Sequence, residues 1–139
     1  MFHVTFKVDG QPRGKGRPRF ARRGAFVSTY TDAKTVAYED TVRQAAKKSM
    51  GSSEPLKTAL DAFIYLSFAV PLSYSKKRKE ACLNGLERHT KKPDIDNVVK
   101  AVLDGCDKVI FENDCQIVNL YVTKKYGEPC VEVLIRETE

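Results

Sequence analysis

Phe2, Val4, Phe6 and Val8 alternate with polar residues at the start of the chain. A period of two predicts a strand buried on one face. Asp9-Gly10 ends that pattern, and the stretch from Gly10 to Arg23, rich in Gly and Pro, reads as a long basic loop before a short strand at Phe26-Val27. Thr31-Asp32 has the chemistry of a helix start. Ala33 to Lys48 continues it with good helix formers and offers Val36, Tyr38, Val42 and Ala46 for packing. Met50 to Pro55 reads as a loop. Leu60 to Val70 is crowded with Phe, Ile, Tyr and Leu and predicts a buried strand that Pro71 stops. A short basic helix is expected between Ser73 and Leu83.

From Asp96 the period lengthens. Val98, Val99, Val102, Leu103 and Cys106 fall on one helical face, with Gly105 near its end. Val109 to Phe111 and Ile117 to Lys125 read as strands, Gly127-Glu128-Pro129 as a turn, and Val131, Val133 and Ile135 as alternating positions of a last strand. The last two strands look like a hairpin. Together these elements predict a single α+β domain over residues 1–139, with a mixed sheet flanked by two main helices.

Composition narrows the class. The chain has 139 residues, 42% of them apolar and 30% charged. That length suits one domain with its own core, and the apolar fraction excludes a wholly disordered chain. The longest apolar stretch, Ala59 to Leu72, contains Asp61 and falls short of the roughly 20 residues of a membrane span. The first residues carry neither a basic n-region nor a cleavage pattern, so no secretory leader is expected. Cys82, Cys106, Cys115 and Cys130 form no C-x-x-C pair and have no His at ligand spacing. All four are expected to pack as small apolar residues in a reducing, cytoplasmic setting.

The formal charge is +6, and it is unevenly spread. Lys7, Arg13, Lys15, Arg17, Arg19, Arg22 and Arg23 crowd one segment against Asp9 alone. Lys76, Lys77, Arg78, Lys79, Arg88, Lys91 and Lys92 crowd a second against Glu80 and Glu87. Two such blocks suit a polyanion, because each neutralised phosphate releases condensed counterions. A solvated charged face is the competing reading.

The densest chemistry lies between Lys91 and Ile117. Pro93 disfavours helical geometry at Lys92, and Asp96 or Asn97 is placed to cap the helix that follows. Asp94 and Asp96 sit two apart, Lys100 and Asp104 follow Asp96 at helical spacing, and Asp114 arrives after a hydrophobic segment that can return it to the same place. Three gathered carboxylates stay ionised together only beside a cation. Oxygen donors without His or Cys suit Mg²⁺, with Mn²⁺ as a substitute. Such an ion activates water and neutralises charge at a phosphodiester under attack. Lys100 is placed to contact the scissile phosphate or orient the nucleophile. An ordinary helix cap and an i, i+4 ion pair explain the same spacing, so spacing alone leaves both readings open. The missing Gly and Val98 at a ligand position argue against an EF-hand loop.

The run Pro93-Asp94-Ile95-Asp96-Asn97, with Lys100, Leu103-Asp104 and Asn113-Asp114-Cys115-Gln116-Ile117, resembles the RusA family of Holliday junction resolvases. Gly10 to Phe20 is similar to that family's basic N-terminal segment, and Tyr30-Thr31 with Tyr38-Glu39 to its first helix. The resemblance implies a homodimeric, Mg²⁺-dependent endodeoxyribonuclease that nicks four-way DNA junctions in pairs, in recombination and repair. It implies that Asp94, Asp96 and Asp114 hold the metal and that Lys100 is the essential lysine. Many members carry two consecutive acids where this chain has Asn113-Asp114, and Asp114 aligns with the second.

Residues and resemblance together predict in-line hydrolysis leaving 5′-phosphate and 3′-hydroxyl ends that a ligase seals. Arg13, Lys15, Arg17 and Arg19, with Lys76, Lys77, Arg78 and Lys79, are the expected DNA-contacting cations, holding phosphates without reading sequence. Phe20 is a candidate wedge at the branch, or else an anchor that holds the loop onto the core. A structure-selective DNA binder without chemistry is the alternative, and a metal-dependent nuclease acting on RNA is a second. The nuclease reading expects Asp114 to come back to Asp94 and Asp96 within the same protomer.

Overall fold

The computed structural model describes residues 2–139. Its strands are β1 (His3–Asp9), β2 (Arg19–Arg23), β3 (Phe26–Tyr30), β4 (Leu60–Phe68), β5 (Ile117–Tyr126) and β6 (Cys130–Glu137). Its helices are α1 (Ala33–Met50), α2 (Lys76–Leu83) and α3 (Ile95–Cys106). Four strands form one mixed sheet in the order β1-β6-β4-β5, while β2 and β3 pair as a separate two-stranded ribbon. The architecture is α+β, as expected.

The alternating pattern becomes a one-sided core. Val4 and Val8 of β1, Leu60, Ala62, Ile64, Leu66 and Phe68 of β4, and Val131, Val133 and Ile135 of β6 are buried together with Val42 and Ala46 of α1 and Val98, Val102 and Cys106 of α3. Val36 instead stays half exposed, and Thr35 and Met50 take its place on the buried side of α1. The two helices cross tightly because Gly105 has no side chain. A Cβ there would lie 2.6 Å from Val42 Cγ1 and 3.0 Å from the Glu39 carbonyl oxygen.

Several local expectations are corrected. Arg19 to Arg23 is a strand and not part of a loop. Every side chain of β3 is exposed and four of five in β2 are, so neither strand carries the alternation that marks a buried face. Val109 to Phe111 is a turn in which Ile110 and Phe111 plug the core. β5 and β6 are not a hairpin, because β4 lies between them, parallel to β5 and antiparallel to β6. Residues 127–129 carry the chain across the end of β4, where the Gly127 amide donates to the Phe68 carbonyl at 2.9 Å. Cys82, Cys106 and Cys130 are buried as expected, but Cys115 is exposed; all four are free thiols.

Candidate active site

Asp94, not Asp96 or Asn97, occupies the N-cap of α3, and its side chain makes no capping hydrogen bond. Asp96 lies in the first turn and Lys100 one turn further on, and all three are exposed. Among the described residues, the carboxylates of Asp94 and Asp96 enter no salt bridge. They are oxygen donors left uncommitted at the positive end of a helix.

Two anchors hold this segment, and sequence reasoning missed both. From β5, the Lys124 ammonium donates to the carbonyl oxygens of Lys91 at 2.7 Å and Pro93 at 2.9 Å. Burial lowers the Lys124 pKa, while the nearby Asp94 charge works the other way. From the other side, the Lys15 amide donates to the Asn97 carbonyl at 2.9 Å. The basic segment presses close enough that a Cβ on Gly14 would meet Pro93 and Asn97 at 3.1 and 3.2 Å. One on Gly16 would fall 2.0 Å from Asp32 Oδ2. The closely spaced glycines were the available signal; Lys124 had none, since its partners lie 31 and 33 residues away.

The basic segment and α3 enclose a cleft of about 470 Å³ lined by Lys15, Arg17, Thr29, Tyr30, Asn97 and Lys100, among others. Lys15, an expected DNA contact, turns its ammonium inward, 2.9 Å from Glu39 Oε1 and 2.5 Å from Asp104 Oδ2. Burial opposes its charge, but the hydrogen bonds to Asp104 and Glu39 outweigh that and raise its pKa. Asp104 is thereby a structural acid that ties α3 to the basic segment. Arg78, also an expected DNA contact, is likewise engaged within the chain. Its guanidinium is held by Glu87 at 2.9 to 3.3 Å and stacks 3.5 Å above the Tyr74 ring. Arg13, Arg17, Arg19, Lys76 and Lys77 remain exposed and Lys79 partly so, with Arg13 lying beside Lys34 and Tyr38 of α1.

The expectation that the fold returns Asp114 to Asp94 and Asp96 is not met within one chain. Asp114 begins a 3-10 turn, Asp114–Gln116, capped by the side chains of Asn113 and Gln116 and leading directly into β5. The Asp94 end of α3 is instead anchored to Lys124, which stands about 23 Å further along that strand at roughly 3.3 Å per residue. Among the described residues no three His, Cys, Asp or Glu side chains group as a metal cage. The local pair is nonetheless a fitting one. Mg²⁺ dehydrates reluctantly and is commonly bound by one or two carboxylates plus substrate phosphates. Asp94 and Asp96 offer that donor set beside the Lys100 cleft.

The chain matches the family described as Endodeoxyribonuclease RusA over residues 9–136. It is also similar to the "Uncharacterized protein YqaN" of Bacillus subtilis (strain 168), 39% identical over 138 residues and covering 96% of each chain.

Proposed function

The chain belongs to the RusA endodeoxyribonuclease family, and from that premise we propose that it is a Mg²⁺-dependent homodimer resolving four-way DNA junctions by paired nicks, in cytoplasmic recombination and repair. Members of the family are hydrolases that act on branched DNA and generally depend on a divalent metal. The observation supporting the site assignment is that Asp94, Asp96 and Lys100 are all exposed within the first turns of α3, and that Lys100 lines a cleft with Arg17. Asp94 and Asp96 hold the ion, which supplies charge neutralisation and water activation at the phosphodiester. Lys100 presents its point charge to the scissile phosphate. Arg17, Arg19, Lys76, Lys77 and Lys79 hold the DNA arms through phosphates.

Dimerisation gives Asp114 its place in this reading. β5 is an edge strand whose outer backbone is unpaired and whose faces expose Val118, Leu120 and Tyr121, a strand suited to covering by another chain. A two-fold antiparallel contact along that edge sets the start of one β5 beside the end of the other. Asp114 of the partner subunit then approaches Asp94 and Asp96. The test is a labelled synthetic four-way junction incubated with the protein in Mg²⁺, beside a linear duplex of the same sequence. Symmetric, ligatable nicks confined to the junction are expected; intact junction across Mg²⁺ and Mn²⁺ contradicts the reading. Mixing inactive Asp96→Asn and Asp114→Asn chains should restore nicking, since a mixed dimer keeps one complete site. No restoration in verified mixed dimers removes the shared arrangement.

A further inference from the structure

The ribbon formed by β2 and β3 buries neither of its faces. Phe20, Phe26, Val27 and Tyr30 are 72, 79, 64 and 50% exposed. The two strands pack chiefly on each other and on no helix or sheet strand to a comparable extent. An isolated two-stranded ribbon is marginal in water, and apolar side chains concentrated on one mark an interaction site. The charge around them names the partner. From Gly10 to Thr31 the chain has no acid, while Arg17, Arg19, Arg22 and Arg23 flank or lie on the ribbon.

Register shows how a partner is met. Arg19 pairs with Tyr30 and Arg23 with Phe26 on one face, while Phe20 pairs with Thr29 and Arg22 with Val27 on the other. Each face thus carries both guanidinium and large apolar groups. An element laid on a surface needs this chemistry on one side only; having it on both fits insertion between two nucleic-acid segments. The base of the ribbon, at Thr29 and Tyr30, forms a wall of the cleft that holds Lys100. From Thr29 to the tip at Phe26 the ribbon reaches about 10 Å beyond that wall, about three base steps at 3.4 Å each.

We propose that the β2–β3 ribbon is an arm that enters the opening between diverging arms of branched DNA. Phe20 and Phe26 rest against unstacked bases, and Arg19, Arg22 and Arg23 neutralise the flanking phosphates. Apolar wedges of this kind offset the cost of unstacking with added contact. The proposal rests on the junction-nuclease reading and adds to it the element that recognises the branch.

The full-length protein tests it in EDTA, which separates binding from chemistry. The probes are a four-way junction carrying 2-aminopurine at the crossover and a linear duplex with the same label. Wild-type protein should prefer the junction and raise its fluorescence severalfold. The double variant Phe20→Ala/Phe26→Ala should lose at least half of that rise and about tenfold of the preference. Its affinity for linear duplex should stay within about threefold, with an unchanged melting temperature because these rings pack on little. Should that variant melt early, Arg22→Ala/Arg23→Ala serves instead and should lose affinity for the junction more than for the duplex. Wild-type fluorescence and preference in the variants overturn the arm alone. A double variant that turns monomeric in sedimentation, yet gives full fluorescence per bound protein, assigns the ribbon to a second copy and also overturns it. No junction preference in the wild type overturns both the arm and the junction reading; preference without nicking in Mg²⁺ overturns only the nuclease reading.

Discussion

Lys15 Nζ lies 2.5 Å from Asp104 Oδ2, so a lysine from the most basic stretch of the chain is bound to an acid of α3, with Glu39 of α1 2.9 Å away on its other side. The pair fixes the basic segment against both helices beside the candidate active site. Replacing Lys15 with Met leaves two acids facing each other without a cation and should cost about 1–3 kcal/mol in urea denaturation. The sign of its pH dependence follows from the raised pKa. The contribution is fully present below the ordinary value of 10.5 and is lost as pH rises through the higher folded value. A Lys15→Met stability equal to wild type at pH 7 contradicts this role.

Gly105 lies inside α3, where replacement by Ala normally gains about 1 kcal/mol in helix propensity. Here the added carbon meets Val42 at 2.6–2.7 Å. Overpacking of that kind costs about 1–3 kcal/mol. Gly105→Ala should therefore lower the urea midpoint without changing the slope. A raised midpoint would mean that α1 and α3 are free to move apart.

Lys124 holds the carbonyls of Lys91 and Pro93, immediately before Asp94. Lys124→Met should loosen the Asp94–Asp96 pair and raise the Mg²⁺ concentration for half-maximal cleavage about tenfold, a difference of about 1.4 kcal/mol. Mn²⁺ binding to the free protein, read by electron paramagnetic resonance, should weaken in parallel, while DNA affinity and far-UV dichroism stay close to wild type. An unchanged metal dependence would show that Lys124 does not position these acids.

Arg17 is exposed on the wall of the cleft, whereas Lys15 is committed to Glu39 and Asp104. Arg17→Ala should weaken binding to all junction sequences alike and make the log–log salt dependence shallower by about 0.9 per lost phosphate contact. Lys15→Met should leave that slope unchanged. The reverse result would exchange their roles.

What the sequence made legible was set by local periodicity. The Val98–Val99–Val102 face of α3 and the alternation in β1 and β6 were readable because burial on one side imposes a period. β2 was not, because Arg19 to Arg23 buries no face and so imposes none. The β5–β6 pairing was misread because strand adjacency depends on β4, some fifty residues earlier, and not on the short turn that joins them. Asp96 and Lys100 could be grouped because helical spacing relates them, whereas Asp94 joined them only through the i, i+2 spacing and the family resemblance. The inward turn of Lys15, the Arg78–Glu87 clamp and the Lys124 anchor depend on folded geometry. Asp114 failed to return for the same reason: β5 carries the chain away from it, along the full length of the sheet.

The most direct test of the central claim compares wild type with Asp96→Asn on one labelled four-way junction in Mg²⁺. Junction affinity of the variant should stay within about threefold of wild type while the cleavage rate falls by at least about 10²-fold, the scale of losing a group that stabilises the transition state. Cleavage by Asp96→Asn at the wild-type rate would contradict the account.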